Sequence, residues 1–455
     1  MNEADLAYMP AVDLLKLLSE KQISSRELLD IYLRRVGKFN HDLNAIVTLD
    51  AERAFERAAA ADEATARGDK GGPLHGLPIT VKDVFDTAGL RTTAGSPELS
   101  QHVPDTDAVI VRRLKAAGAV IFGKTNTPFL ASDGQTYNEV FGTTNNPWDL
   151  GRTPGGSSGG CAAAVATGLT ALSFGSDIGG SLRVPASFCG IFGHKSTFGL
   201  TPTRGHIPPI PPGTQREDDM LVAGPLARDA RDLDLALSVM AGPISQEALD
   251  WKIELPGPLS KPLDEYRVAV WASDSFCPVD TVIQTCLLDA ASALRSAGAL
   301  VDDEARPKFS LEESHQLYVP LLRSIFGGER THQDWLNLEN QRGRLRDLWA
   351  EFFTRYDVLL APVSSTLPFP HLQVPWPERR FTVNGEERPY EDFIVWTGPI
   401  SASYLPSTAV PVGVSGEGLP VGVQVVGPHL SDRRTIDFAG RLSGLIGGVK
   451  PPPGY

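Results

Sequence analysis

Between residues 154 and 185 the chain reads PGGSSGGCAAAVATGLTALSFGSDIGGSLRVP. Two serine sites lie in it, each set among glycines: Gly155-Gly156-Ser157-Ser158-Gly159-Gly160 and Gly179-Gly180-Ser181. Glycine on either side of a serine lets the backbone turn sharply or approach a ligand closely. The apolar, alanine-rich residues 161–172 between them read as a buried helix running into a short strand. Two tight turns joined by one packed segment can face a single pocket, so the rest of the fold has to hold that pair and supply a base. The competing reading is a pair of glycine-rich turns with incidental hydroxyls.

A base is offered upstream. Residues 79–84, ITVKDV, are short and β-branched, as a strand should be. Lys82 lies there among Ile79, Val81 and Val84. A lysine at a strand end can simply reach solvent. A buried one gives up its charge rather than bear the desolvation cost, which lowers its pKa from ~10.4 toward neutrality and makes it a usable general base.

Composition narrows the function classes. At 455 residues with 42% hydrophobic content the chain can build a large α/β core. A net charge of −13 argues against a nucleic-acid surface. No apolar run reaches the ~18 residues of a membrane span, and the N-terminus MNEADLAYMP lacks the pattern of a signal peptide. Cys161, Cys189, Cys277 and Cys286 form no CxxC pair, so reduced thiols in a cytoplasmic protein are expected. No cysteine–histidine cluster offers a metal site, and no cofactor is expected.

Two look-alike motifs fail on physical grounds. Residues 118–125, GAVIFGKT, match the phosphate-loop pattern GxxxxGK[ST] letter for letter. A phosphate loop needs a strand before its first glycine and a flexible loop after it. Here residues 107–117 read as a helix and 119–122 as the strand itself. Residues 155–159 match GxSxG, but that elbow needs a strand running into the serine. The entering segment, NNPWDLGRTP, cannot be a central strand. None of the later histidines His194, His206, His315, His332, His371 and His429 sits in a setting that singles it out.

The arrangement that uses every part places Ser181 as nucleophile, with the backbone amides of Ile178, Gly179, Gly180 and Ser181 converging on one carbonyl oxygen as an oxyanion hole. Ser157 then bridges Ser181 to Lys82. At these residues the chain resembles the amidase signature family of serine hydrolases. The family pattern GGSSGG appears at 155–160, and GSDxGGS with an Arg-x-Pro tail at 175–185, with the two serines 24 residues apart. LHGLPITVKD (74–83), GKTNTP (123–128), GTTNNPWD (142–149), FCGIFGHKSTFGLTPTRG (188–205) and GLPVGVQVVG (418–427) fit as well. The match is dense from about 74 to 230, thins, and returns near the C-terminus. The resemblance implies Lys82 as base, Ser157 as bridge following a cis peptide bond, and Ser181 as nucleophile. It also implies a large twisted mixed β-sheet surrounded by α-helices. Asp177 and Arg183 are expected to form a structural ion pair, and Gln424 to support the site from behind.

Along the chain, residues 11–65 read as helical, with a capping box at Ser24-x-x-Glu27. Residues 266–271 read as a strand, 281–297 as an amphipathic helix and 310–351 as further helices carrying Leu317, Tyr318, Leu321, Leu322, Ile325 and Phe326. Residues 356–362 return to the sheet, and 368–399 form a proline- and aromatic-rich excursion over the entrance. The expected layout is one catalytic domain over 1–455: N-terminal helices (1–70), the signature core (74–230), a variable capping region (231–400) and a C-terminal return to the sheet (401–455).

The family includes a subunit that releases ammonia from glutamine, lipid amide hydrolases, and enzymes acting on aryl amides, carbamates and nylon oligomers. Where the glutamine-using subunits carry an SLDQIGP-like segment, this chain has DDMLVAGP (218–225). Phe129 and Leu130 follow GKTNTP where an acidic residue then Phe is usual, which makes that wall more apolar. The stiff loop HIPPIPPG (206–213) is placed to rim the pocket. Phe129, Gly156 and Ile207 are therefore the expected substrate contacts. The expected substrate is a small amide or carbamate, handled by a monomer or homodimer with no nucleic-acid or membrane partner. The alternative is an amidotransferase-type subunit dependent on a partner complex.

Overall fold

The computed structural model describes residues 2–69, 71–214, 216–244, 249–325 and 331–455. Fifteen strands occur among them. In chain order they are β1 (Ile46–Leu49), β2 (Pro78–Lys82), β3 (Val120–Thr125), β4 (Tyr137–Asn138), β5 (Gly142–Thr143), β6 (Leu172–Asp177), β7 (Phe192–Lys195) and β8 (Val222–Ala227). There follow β9 (Arg267–Val270), β10 (Leu300–Asp302), β11 (Val358–Pro362), β12 (Arg380–Val383), β13 (Glu386–Pro389), β14 (Ser407–Val414) and β15 (Pro420–Val426). Eleven of them form one mixed sheet in the order β1-β3-β2-β6-β8-β7-β14-β15-β11-β9-β10. Helices surround it, in the expected fold class.

The central strands are buried along their full length: every residue of β2, β3, β6, β7, β8, β11 and β15 is buried. That explains their runs of Val, Ile and Ala, since strands covered on both faces need no polar alternation. β2 runs parallel to β3 and β6, so Lys82 and Asp177, the last residues of β2 and β6, emerge at the same edge of the sheet. A site beyond the carboxyl ends of parallel strands is the general arrangement for open α/β sheets.

The helix Gly159–Ala166 is buried throughout. Its small residues permit this, because a Cβ on Gly160 would stand 2.4 Å from the Asn126 amide nitrogen. Ser24 and Glu27 form the expected capping box of the helix Ser25–Leu43. One strand corrects the helical reading of 11–65. Asn44 adopts a left-handed conformation (φ 50°) that stops this helix, and Ile46–Leu49 then pairs with β3 as an edge strand. The 310–351 region forms the helices Leu311–Ile325 and His332–Arg355; Phe326 lies outside the described residues. The 368–399 excursion holds the β12–β13 hairpin, and Arg379 pairs with Asp133 at 2.6 Å. No described helix is long and apolar enough to cross a membrane. The four cysteines form no disulfide, and all but Cys286 are buried.

Candidate active site

Lys82 is wholly buried at the end of β2. Its Nζ lies 2.7 Å from Ser157 Oγ and 3.2 Å from Ser176 Oγ. Burial pushes its ammonium down to about 7, against a weaker opposite pull from Cys161 and Asp177. Both neighbours are hydroxyls rather than carboxylates, so nothing in direct contact holds the charge on.

Ser157 follows a cis Gly156–Ser157 peptide. The turn that carries it packs between the helix start and residues 133–135: a Cβ on Gly156 would meet the Asp133 and Gln135 carbonyl oxygens at 2.5 and 2.6 Å. Ser157 and Ser181 line the same small cavity. The Ser158 amide donates to the Ser181 carbonyl at 3.2 Å, which ties the two turns together. Their hydroxyls are not hydrogen-bonded to each other.

The turn before Ser181 is built around Asp177. This carboxylate accepts from the amides of Gly180 (2.8 Å) and Leu182 (3.0 Å) and from Arg183 Nε and Nη2 (3.1 and 3.0 Å). Burial alone would raise the Asp177 pKa. The Arg183 guanidinium, the Lys195 charge and the Leu182 amide outweigh it and hold the carboxyl at about 2. Arg183 is held in turn by Gln424 Oε1 (3.0 Å), Ser401 Oγ (3.0 Å) and the Thr397 carbonyl (3.1 Å). The pair is fully buried and fully bonded, as a buried ion pair must be.

Gly180 needs its glycine: φ is +119°, and a Cβ would stand 2.7 Å from Thr397 Oγ1. Its amide, however, is spent on Asp177, so Gly180 does not belong in the donor set expected from sequence. The amides of Ile178, Gly179 and Ser181 donate to no acceptor among the described residues, and the Ile178 and Ser181 side of this turn faces the cavity. The helix Leu311–Ile325 presses on the turn from outside: a Cβ on Gly179 would meet the Tyr318 hydroxyl at 2.3 Å.

The cavity is lined by Leu130, Ala131, Ser157, Ser176, Ile178, Ser181, His206, Pro208, Asp218, Leu221 and Ile325. Its free volume is about 30 Å³, room for about one water. The expected substrate contacts are each displaced. Phe129 is half exposed and lines a separate surface groove with Trp376; the 3-10 turn Phe129–Ala131, with Leu130 at φ 47° and Ala131 at φ 55°, presents Leu130 and Ala131 instead. Ile207 packs into the core, and its neighbours His206 and Pro208 reach the cavity. Gly156 is covered by residues 133–135. A larger groove of about 860 Å³ lies near Arg228 and Arg441. It sits at the other end of the sheet, since Ala227 pairs with Leu172 and Val222 with Asp177, and no candidate nucleophile–base pair lies there among the described residues.

Comparison with known proteins supplies the family. The family model "Amidase" matches residues 27–325 and 324–436. The chain belongs to the amidase signature family. Among its relatives, the acylamidase of Rhodococcus erythropolis is 32% identical over 481 aligned positions, covering 98% of this chain and 97% of that protein. A glutamyl-tRNA(Gln) amidotransferase subunit from Alkaliphilus metalliredigens is 30% identical over 503, covering 98% of each. A similar solved structure comes from an inhibitor-bound vestigial complex tied to the evolutionary origins of an s-triazine catabolic enzyme. It has a TM-score of 0.83 and 28% identity, and the match covers 97% of this chain and all of that one.

As an amidase signature protein the chain carries two cavity residues that sequence reasoning misses. Ser176 is hidden inside GSD as an ordinary strand residue. His206 is one of nine histidines, marked only as the first residue of the stiff loop 206–213. The phosphate-loop look-alike is sealed: Lys124 lies in β3, wholly buried, and donates to Thr87 Oγ1 (3.1 Å), Thr92 Oγ1 (2.9 Å) and the Phe85 carbonyl.

Proposed function

We propose that this amidohydrolase cleaves C–N bonds of small, apolar amides by acyl transfer, with aryl amides and carbamates as candidate substrates and esters as a side activity. The carrying observation is the 2.7 Å contact between Ser157 and a Lys82 that burial has pushed to about 7. Ser181 Oγ attacks the carbonyl carbon, its proton passes to Ser157, and the Ser157 proton passes to neutral Lys82, giving an ammonium. The amides of Ile178, Gly179 and Ser181 stabilise the oxyanion. As the C–N bond breaks, the leaving nitrogen takes a proton from Ser157, which is reprotonated by Lys82. Water then attacks the acyl-serine by the same relay and releases the acid.

The cavity lining favours an apolar acyl group over glutamine. Its walls are Leu130, Ala131, Ile178, Leu221 and Ile325, and its one carboxyl group, Asp218, is paired with Arg216 at 2.8 Å. Among the described residues, no cationic side chain lines it to take the α-carboxylate of glutamine. The likeness to a glutamyl-tRNA(Gln) amidotransferase component supports the second reading, a partner-dependent protein that releases ammonia from glutamine. On the first reading the protein acts in the cytoplasm, and purified protein alone is expected to hydrolyse a p-nitroanilide or a nitrophenyl carbamate. No turnover alone, with activity restored by glutamine and a partner protein, overturns that reading in favour of the second.

A further inference from the structure

From Lys82 a second chain of hydrogen bonds runs along the cavity wall through Ser176 to His206. His206 is buried on the cavity wall, its ring edge-on to Phe85 with centroids 5.2 Å apart. Its Nδ1 lies 2.8 Å from the Pro208 carbonyl oxygen and its Nε2 2.9 Å from Ser176 Oγ. Ser176 Oγ in turn lies 3.2 Å from Lys82 Nζ.

These contacts fix the direction of every proton. A carbonyl oxygen only accepts, so Nδ1 carries the hydrogen, and in a neutral imidazole Nε2 is then bare. Ser176 has one O–H, and a bare Nε2 claims it. The lone pairs of Ser176 are left facing Lys82, which can only donate to them. A neutral amine has two N–H bonds and one lone pair. With one N–H held by Ser176, the lone pair is free to face Ser157.

We propose that His206 is a positioning residue of the proton relay: by accepting the Ser176 proton it keeps Ser176 from competing with Ser157 for the Lys82 lone pair. The inference rests on the hydrolase reading in one respect, that Lys82 accepts the proton. His206 is not itself a base here. Burial pushes it down to about 3, against the pull of the Pro208 carbonyl, so it stays neutral across the working range. The groups that face this chain are few. Phe85, Pro208, Ser176 and Lys82 surround the imidazole, with Asp218, paired to Arg216, on the same cavity. Ser157, Cys161 and Asp177 are the further neighbours of Lys82.

Without His206 the Ser176 hydroxyl can rotate and donate to the neutral amine. That competitor is worth about one hydrogen bond, a loss of roughly 10-fold in reaction rate. It also favours the neutral amine, so the pH midpoint of the reaction moves down even as the rate falls. Damage that merely admitted water would move that midpoint up, toward the ordinary lysine value.

The test is the rate at which a small alkyl fluorophosphonate labels Ser181, mapped by mass spectrometry and followed from pH 5.5 to 9.5. Wild type is compared with His206→Leu, His206→Gln, Ser176→Ala and the Ser176→Ala/His206→Leu double variant. His206→Leu is expected to slow labelling about 10-fold with a lowered midpoint. His206→Gln, whose carbonyl can replace Nε2 as acceptor, recovers most of the rate. The double variant is no slower than the slower single variant, because both break one chain. An unchanged rate in His206→Leu, a raised midpoint, or additive losses overturns the proposal. Imidazole nitrogen resonances of the wild type give a readout independent of turnover. The Nδ1–H tautomer from pH 5 to 9 is expected, and an Nε2–H tautomer or a titration near 6.5 overturns it. Wild type that leaves Ser181 unlabelled overturns the hydrolase reading instead, and the tautomer is still decided by the resonances.

Discussion

Two lysines on neighbouring strands share one degree of burial and little else. Lys82 ends β2 and Lys124 sits in β3, where Lys82 pairs with Thr125 and Lys124 with Val81. Both are fully buried, and burial lowers both, to about 7 and about 8. Lys124 donates to a carbonyl and two threonine hydroxyls, with Asp83 and Asp86 nearby to favour its charge. Lys82 has two serine hydroxyls, Ser157 and Ser176, and both residues line the cavity. Burial alone therefore does not make a base. What distinguishes Lys82 is a partner that can both give and take a proton and that faces the space where a substrate would react.

The largest effect that can break this contrast is on the nucleophile's side. Ser181→Ala is expected to lower turnover by at least ~10³-fold while leaving the fold intact; residual turnover within 10-fold of wild type would remove Ser181 from the reaction. Next come the lysines as a pair. Lys82→Met is expected to cost at least ~10³-fold in kcat with little change in thermal stability, since an isosteric apolar chain relieves a buried amine. Lys124→Met is expected to do the reverse. It removes three buried hydrogen bonds from the ammonium and the cation that faces Asp83 and Asp86, and costs about 3 kcal/mol, measured by denaturant unfolding, while the folded fraction keeps activity within a few-fold. Activity surviving in Lys82→Met, or lost in a folded Lys124→Met, contradicts the contrast.

The smallest effect concerns a histidine away from the cavity. His194 is buried between Thr408 (2.9 Å) and Asp432 (3.1 Å). His194→Ala is expected to lower stability by ~1–3 kcal/mol and leave kcat within a few-fold. A loss approaching that of Ser181→Ala would place His194 in the chemistry.

How much of this the sequence reveals follows the local constraints. Ser157, Ser181 and Lys82 are legible because glycines bracket the serines and apolar residues bracket the lysine, and each neighbour narrows what the backbone can do. The Asp177–Arg183 pair is legible for the same reason. The wall is harder to read. A 3-10 turn with Leu130 and Ala131 at positive φ shifts the exposed face by one residue, so Phe129 points to another groove. The role of His206 shows only in three dimensions, because its partner Ser176, and Lys82 beyond Ser176, lie 30 and 124 residues earlier in the chain. The edge strand Ile46–Leu49 is four residues long between two helices, too short to outweigh their periodicity.

The most direct test of the whole account is the pH dependence of kcat/KM for a p-nitroanilide hydrolysed by the protein alone. Lys82 has to be neutral to accept the Ser157 proton. The rate is therefore expected to rise about tenfold per pH unit below a midpoint near 7 and to level off above it. A rate that stays flat or falls steadily from pH 6 to 9 contradicts a neutral lysine at the end of the relay.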